Sequence, residues 1–332
     1  MNKKNVLVLG GAGFIGSHLC DRLVGEDANV ICVDNFVTSS EQNIEHLLRL
    51  PNFKFIRRDI NEKMDFEAMP DLVDLQLNVF GIQEVYNLAC PTSVKNFDKL
   101  KEETIAANSV GMKNALDIAV KYKAKFLQAS SSVVYGISED PDYVEESYVG
   151  RIDQLDQRAC YDEGKRFAET ICNVCREKYG VEIKIARIFR TYGPRMPLND
   201  GQMIPDFISS ALDGGQMVIY GTKKFRTSLC YVSDIVEGLV GLMESPFAGV
   251  INIGAAEVVT LTNVAEMIQK IVGVKSKIVY DEKLLFMREL AFPNIKKIKE
   301  EIGWLPLVSL EDGLRRTVEY ARAHKPLVEF EK

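Results

Sequence analysis

The 332-residue sequence predicts an α/β fold, a doubly wound parallel sheet with a smaller, mostly C-terminal α/β lobe, and three observations carry that prediction. Apolar runs of strand length alternate with stretches of helical period over residues 1–190, the order that builds parallel strands joined by crossover helices. The first run passes directly into Gly10-Gly-Ala-Gly13-Phe-Ile-Gly16 and a helix, and the second strand ends in an acid, Asp34. A 46% share of hydrophobic residues is enough to core two lobes.

Residues 5–9, Asn-Val-Leu-Val-Leu, are apolar without alternation, as a strand buried on both faces must be. In the turn that follows, the first glycine permits the bend and the second admits a pyrophosphate close to the backbone. The third lets helix and strand approach. The helix over 15–25 then offers its unpaired N–H groups to phosphate. Asp34, at the end of the strand over 29–33, can accept both ribose hydroxyls of NAD and would repel the 2′-phosphate of NADP. Ser39 and Ser40 are the counter-signal, since hydroxyls accommodate a phosphate. Gly10, Gly13, Phe14, Ile15, Gly16, Asp34 and Asn35 are therefore predicted to hold NAD, with Asp59 and Ile60, after a third strand over 53–57, bordering the adenine.

Residues 61–80 read as a short helix and loop, and a fourth strand over 84–88 ends at Leu88 and Ala89, with Thr92 just beyond. A helix over 102–122 carries Asn108, Gly111 and Asn114, and Leu88, Ala89 and Asn108, with Tyr161 further on, are expected to contact NAD as well. The fifth strand, 125–129, runs into Ser130-Ser131-Ser132-Val133-Val134-Tyr135-Gly136, hydroxyls that either meet a ligand at the sheet's carboxyl edge or lie in a solvated loop. The helix over 161–179, closed by Gly180, shows Phe167, Ala168, Ile171, Val174 and Cys175 at one-turn intervals, and a strand over 182–188 follows. Beyond it come helices over 204–212, 232–243, 264–272 and 310–324, with a short strand at 218–220. Residues 1–190, with part of 230–260 returning to them, are the predicted Rossmann domain; 191–229 and 260–332 are the substrate lobe.

A formal charge of −6 gives no electrostatic reason for nucleic acid or an anionic membrane as partner. No apolar run is long enough to span a bilayer, and the start offers no cleavable signal. Seven cysteines, mostly in apolar runs, argue for reduced thiols and a cytoplasmic location. Cys172 and Cys175 form a CxxC inside a helix without a second pair, so packing is the expectation there, and no residues group as a metal site would. His18, His46 and His324 read as surface side chains, and Trp304 as an anchor for the C-terminal lobe.

Tyr161 and Lys165 lie four apart, on one face of a helix. A phenol titrates near pH 10, too high for proton exchange at neutral pH, and an ammonium one turn away favours the phenolate. By spacing alone such a pair is usually a surface pair.

These motifs occur in the order found in the extended short-chain dehydrogenase/reductase family of NAD-dependent nucleotide-sugar epimerases, dehydratases and decarboxylases. The resemblance rests on the glycine motif, Asp34, Ser-Ser-Ser-x-x-Tyr-Gly, Tyr161-Asp-Glu-Gly-Lys165, Tyr192-Gly-Pro-Arg and Gly303-Trp304-Leu305-Pro306, and covers nearly the whole chain. Around Tyr161 and over 187–196 the wording is most similar to UDP-glucuronate decarboxylases. The resemblance implies tightly held NAD and Tyr161 as the base that removes a sugar hydroxyl proton. It implies that Lys165 lowers the Tyr161 pKa and binds the nicotinamide ribose, that Ser131 bonds the reacting oxygen, and that the enzyme is a homodimer.

The departures decide the reaction. Decarboxylases of the family carry a glutamate two residues after the catalytic hydroxyl, and dehydratases an acid pair in the same run. Here the positions hold Ser132 and Val133. A 4-epimerase needs only oxidation, rotation and hydride return, so the expected function is an NAD-dependent nucleotide-sugar 4-epimerase. A UDP-glucuronate decarboxylase is the alternative, and a catalytically silent NAD-binding scaffold the third reading. The substrate end departs too: Arg190 and Asp206 replace asparagines, and the expected phosphate-binding arginine is Thr227, with Arg226 beside it. The late arginine is Ala291, with Arg288 nearby. The expected substrate contacts are Thr92, Ser132, Arg190, Asp206, Arg226 and Arg288, with Lys223 and Lys224 as further candidates. Arg187 is open between a structural ion pair and a substrate role.

Overall fold

The computed structural model describes residues 3–93, 95–136, 143–198, 200–281 and 290–330, with side chains to residue 324. Seven strands form one parallel sheet: β1 (Asn5–Leu9), β2 (Asn29–Asp34), β3 (Phe53–Arg57), β4 (Glu84–Asn87), β5 (Lys125–Ser131), β6 (Ile183–Ile188) and β7 (Val250–Ile253). Their order is β7-β6-β5-β4-β1-β2-β3, so the chain winds outward from β1 in both directions and the cleft opens where the direction reverses. Every pairing is parallel, and Val6, Leu7, Val8 and Leu9 have no exposed surface, because helices cover both faces.

One face carries α1 (Phe14–Gly25) and α5 (Val232–Glu244), which bury Leu19 and Leu23 with Ile235 and Leu239. The other carries α2 (Met112–Tyr122) and α3 (Ala159–Tyr179), whose Met112, Ala115, Ala168, Cys172 and Cys175 pack on Leu7 and Ile31. Cys172 and Cys175 are thus core side chains. The α3 face differs from the reading of the sequence. Ala168, Cys172 and Cys175 point inward, while Phe167 and Val174 are exposed at 52% and 55%. They form a second apolar stripe turned away from the sheet.

The helix expected over 102–122 is interrupted by a π turn at Ala107–Gly111. A Cβ at Gly111 would press into Ile60, and Asn114 Nδ2 donates to the carbonyls of Ile60 and Asn61, both at 3.0 Å, so the helix clamps the loop after β3. Residues 61–80 make 3-10 turns at Phe66–Ala68 and Pro70–Leu75 and one short helix, Leu77–Phe80.

The C-terminal half adds α4 (Met203–Leu212), α6 (Leu261–Val272) and α8 (Leu310–Phe330), α7 being Lys296–Ile302. Short strands join them: Arg226–Ser228 pairs antiparallel with Val258–Thr260, and Met217–Tyr220 pairs with Ile278–Asp281. Trp304 donates from Nε1 to the Asp234 carbonyl at 2.9 Å, tying this half to α5.

Candidate active site

At the carboxyl ends of the central strands lies a cleft of about 760 Å³. Its first wall is the turn between β1 and α1. Gly10 sits at φ +77°, and a Cβ there would come 2.7 Å from the Ala89 amide nitrogen. A Cβ on Gly16 would overlap the Gly10 carbonyl, so helix and strand meet only because that position is bare. Gly13 caps α1 without a side chain, which leaves the first N–H groups of the helix open to the cleft. The Ala12 amide donates to Asp34 Oδ2 at 3.0 Å, and Asn43 Nδ2 donates to the Ala12 carbonyl at 2.9 Å. The anion cradle is therefore built before any anion arrives.

Asp34 ends β2, nearly buried, and accepts from the Phe36 amide at 2.9 Å and the Ser39 hydroxyl at 2.6 Å. Ser39, the counter-signal in the sequence, is engaged on the acid. Asp59, Ile60 and Asn35 border the same end, with Asn35 Nδ2 donating to Asp59 Oδ2 at 2.9 Å. Leu88 and Ala89 line the middle. Asn108 does not reach the cleft: it is buried and donates to the Thr104 carbonyl at 2.8 Å and to Cys90 Sγ at 3.2 Å, and it is Cys90 that lines the cavity. The glycine, acid and helix-terminus set fits a dinucleotide with free ribose hydroxyls.

Ser131, Tyr161 and Lys165 converge at the end of β5. Lys165 is buried and donates to the Ala129 carbonyl at 3.0 Å, with its ammonium 5.8 Å from the Tyr161 ring centre. Gly164, between them, lets α3 pack against Asn108, where a Cβ would be 3.2 Å from that amide. Ser131 caps the 3-10 turn Ser132–Tyr135 and hydrogen-bonds Tyr161. Burial pushes the Tyr161 phenol above its ordinary range, against the pull of Lys165, Arg158 and the Ser131 bond. Lys165 thus acts in the direction the sequence implies, and desolvation outweighs it. Arg158, at the N-cap of α3, was not singled out by the sequence; its position one turn before Tyr161 was the available signal.

The substrate contacts divide. Thr92 and Arg190 line the cleft, the latter with Nη1 3.5 Å from Thr227 Oγ1. Ser132 is buried at 4% exposure and does not line it, whereas Val133 does. Arg226 points the other way, exposed, over the Phe292 ring at 5.2 Å, because neighbours on a strand alternate and Thr227 takes the inward place. Lys223 and Lys224 are exposed and do not line the cleft either. Asp206 lies behind the lining; burial lifts its carboxyl to about 6, helped by Asp200 and opposed by the Gly201 amide and Lys95. Asp200 itself lines the cleft and accepts from Ser93. Arg288 lies outside the described residues. Arg187 makes a two-pronged pair with Glu169, at 3.0 and 2.8 Å, and lies over Tyr135, which settles it as structural. His18 Nε2 donates to the Pro194 carbonyl, 3.0 Å away, and its pKa falls to about 4 through burial and Arg195.

A parallel sheet with a dinucleotide cradle and a Tyr–Lys–Ser cluster at its carboxyl edge defines an NAD-dependent enzyme of the extended dehydrogenase/reductase type. The chain belongs to the NAD dependent epimerase/dehydratase family, which it matches over residues 6–254. It is 38% identical over 321 residues to UDP-glucuronic acid decarboxylase 1 of Xenopus tropicalis, covering 97% of this chain and 73% of that one. In structure it is similar to the UDP-glucose 4-epimerase of Thermotoga maritima, with a TM-score of 0.85, 27% identity and coverage of 97% and 99% of the two chains. It is likewise similar to the UDP-glucuronic acid 4-epimerase of Bacillus cereus in complex with UDP-glucuronic acid and NAD, with a TM-score of 0.84, 27% identity and coverage of 96% and 99%. Among the described residues no helix is long and apolar enough to cross a membrane.

Proposed function

We propose that the protein is a nucleotide-sugar 4-epimerase working through a transient 4-keto sugar. Gly10, Gly13, Gly16, Asp34 and Lys165 would hold NAD+, which would supply a reversible hydride acceptor there. Tyr161 Oη takes the proton of the C4 hydroxyl as base and gives it back as acid, and Ser131 Oγ holds that oxygen in place. Lys165 favours the phenolate and fixes the ribose beside it.

Val133 is the observation that carries the choice of reaction. It lines the cleft at 4% exposure, with its amide 3.4 Å from Ser131 Oγ, and it cannot move a proton. Removing carbon dioxide or water from the 4-keto sugar needs a group beside C5 or C6 that manages charge or protons; turning the ring needs none there. The second reading, decarboxylation of UDP-glucuronate, is favoured by the 38% identity to a UDP-glucuronic acid decarboxylase over 97% of this chain. The third, a silent scaffold, is disfavoured by the assembled Ser131, Tyr161 and Lys165.

The exposed stripe of Phe167 and Val174 on α3, with Ile105 and Val110 on the preceding helix, each more than half exposed, suits a second copy of this chain. The active form is accordingly a homodimer, its reduced thiols suited to the cytoplasm.

Incubation of the NAD-loaded protein with UDP-glucose and with UDP-glucuronate, read by product mass and C4 configuration, tests the proposal. Unchanged mass with inversion supports epimerisation. Carbon dioxide release from UDP-glucuronate, with no C4 epimer of either sugar, overturns it in favour of the decarboxylase.

A further inference from the structure

Tyr161 lies between two cations, although a motif reading names only one. The Lys165 ammonium is 5.8 Å from its ring centre, and the Arg158 guanidinium is 5.7 Å from the same point, from the preceding turn. The two are tied to the phenol by the helix itself: the Arg158 carbonyl accepts the amides of Tyr161 at 2.9 Å and Asp162 at 3.1 Å. The guanidinium lines the cleft, 5.9 Å from the Phe97 ring, and Asp162 Oδ1 lies 3.5 Å from its Nε. Asp162 is almost fully buried at 2% exposure, so it anchors the arginine from inside the fold.

Neither capping nor the helix dipole explains this placement. Arg158 is the N-cap of α3 and makes no side-chain capping bond, and a cation at a helix N-terminus is opposed by the macrodipole. A residue that works against its own helix, held on the reacting side chain of the cleft, has its reason in the site.

We infer that Arg158 is a positioning residue for the reaction, a second cation that, with Lys165, holds the Tyr161 phenol ready to take a proton. This inference rests on the reading of Tyr161 as the proton acceptor. Arg158 lowers the phenol's pKa alongside Lys165, in opposition to burial and to Cys90, which faces it from the loop after β4. The other charged groups nearby are Asp162, which anchors Arg158; Lys101, which acts on the adjoining Cys160; and Glu103, which is exposed along the cleft. Burial is the larger influence on the phenol, and the two cations act together against it.

The test compares Arg158→Gln and Arg158→Lys with the unaltered protein and with Tyr161→Phe. One readout is the ultraviolet tyrosinate titration of the protein as purified, taken as the difference from Tyr161→Phe. The other is the pH profile of turnover with UDP-glucose, or with UDP-glucuronate if only that is converted. Arg158→Gln is expected to move both midpoints to higher pH, with turnover at neutral pH falling about tenfold, the effect of removing a unit charge some 6 Å away, and recovering under alkaline conditions. Arg158→Lys is expected to titrate near the unaltered protein. If Arg158→Gln does not fold, Arg158→Met, whose unbranched stem keeps the packing between the two rings, carries the same reading. An unshifted titration in the charge-removing variant, with Tyr161→Phe inactive, overturns the role of Arg158 alone. Retained turnover in Tyr161→Phe overturns the underlying reading of Tyr161 instead.

Discussion

Asp206 offers a prediction in which the stability of the fold and the chemistry of the cleft meet. It lies in the first turn of α4, where the helix dipole favours an anion, yet its carboxyl is lifted from 3.8 to about 6. Burial therefore outweighs the dipole, and Oδ1 is buried with no hydrogen-bond partner among the described residues. Because the folded-state value exceeds the unfolded one, the native protein binds more protons between pH 3.8 and about 6. Stability then falls as pH rises through that window, and the deficit is complete above it. The lifted value corresponds to at most about 3 kcal/mol, and partial exposure reduces that to about 1–2 kcal/mol. Asp206→Asn removes the charge and keeps an oxygen for the Gly201 amide. Urea unfolding should show the variant more stable by about 1–2 kcal/mol near pH 7.5, with the gain gone below about pH 4. A variant equally or less stable near neutral pH, or a gain that persists unchanged into acid, would refute the argument that burial of this charge is unfavourable.

Three further outcomes follow from the geometry. Tyr161→Phe should lower turnover by about 10²–10⁴-fold while the protein still retains NAD, measured by steady-state rate and by cofactor content after gel filtration. Gly16→Ala, whose methyl would overlap the Gly10 carbonyl, should force the β1–α1 turn open and strip the cofactor on gel filtration, with the fold preserved by circular dichroism. Arg190→Ala should weaken UDP binding about tenfold or more by calorimetry, whereas Arg226→Ala, whose side chain faces away over Phe292, should leave it within about twofold.

The cofactor half of the cleft was legible in the sequence because it is written in backbone constraints. Gly10 and Gly16 are required by φ and by contact, Asp34 by the end of a strand, and each constraint acts within a few residues of its signal. The sheet was legible for the same reason: runs buried on both faces need no knowledge of distant partners. What was not legible depends on contacts between remote segments. The inward face of α3 was drawn too wide, because Phe167 and Val174 are as apolar as Cys172 and only packing tells a core stripe from a second, exposed one. Asn108 carried the chemistry of a ligand contact, but the π turn places it against Cys90 and Thr104 instead.

The substrate half shows how a one-residue change acts through strand geometry. Arg226 and Thr227 are adjacent, and on the strand Arg226–Ser228 they necessarily face opposite ways. With threonine inward, the cleft has no guanidinium from that strand. Arg190 enters the same space from the segment after β6, its Nη1 reaching toward Thr227 Oγ1 and its guanidinium 5.6 Å from the Phe225 ring. Asp206, behind the same wall, adds a carboxyl that is partly protonated near pH 6. An anionic group bound beside Arg190 would have the Asp206 carboxyl behind the wall rather than in contact, so its affinity is expected to strengthen as Asp206 takes up its proton. Under the proposed function the Tyr161 centre performs the same first step on any nucleotide sugar, so discrimination at this end is expected to fall to Arg190 and Asp206.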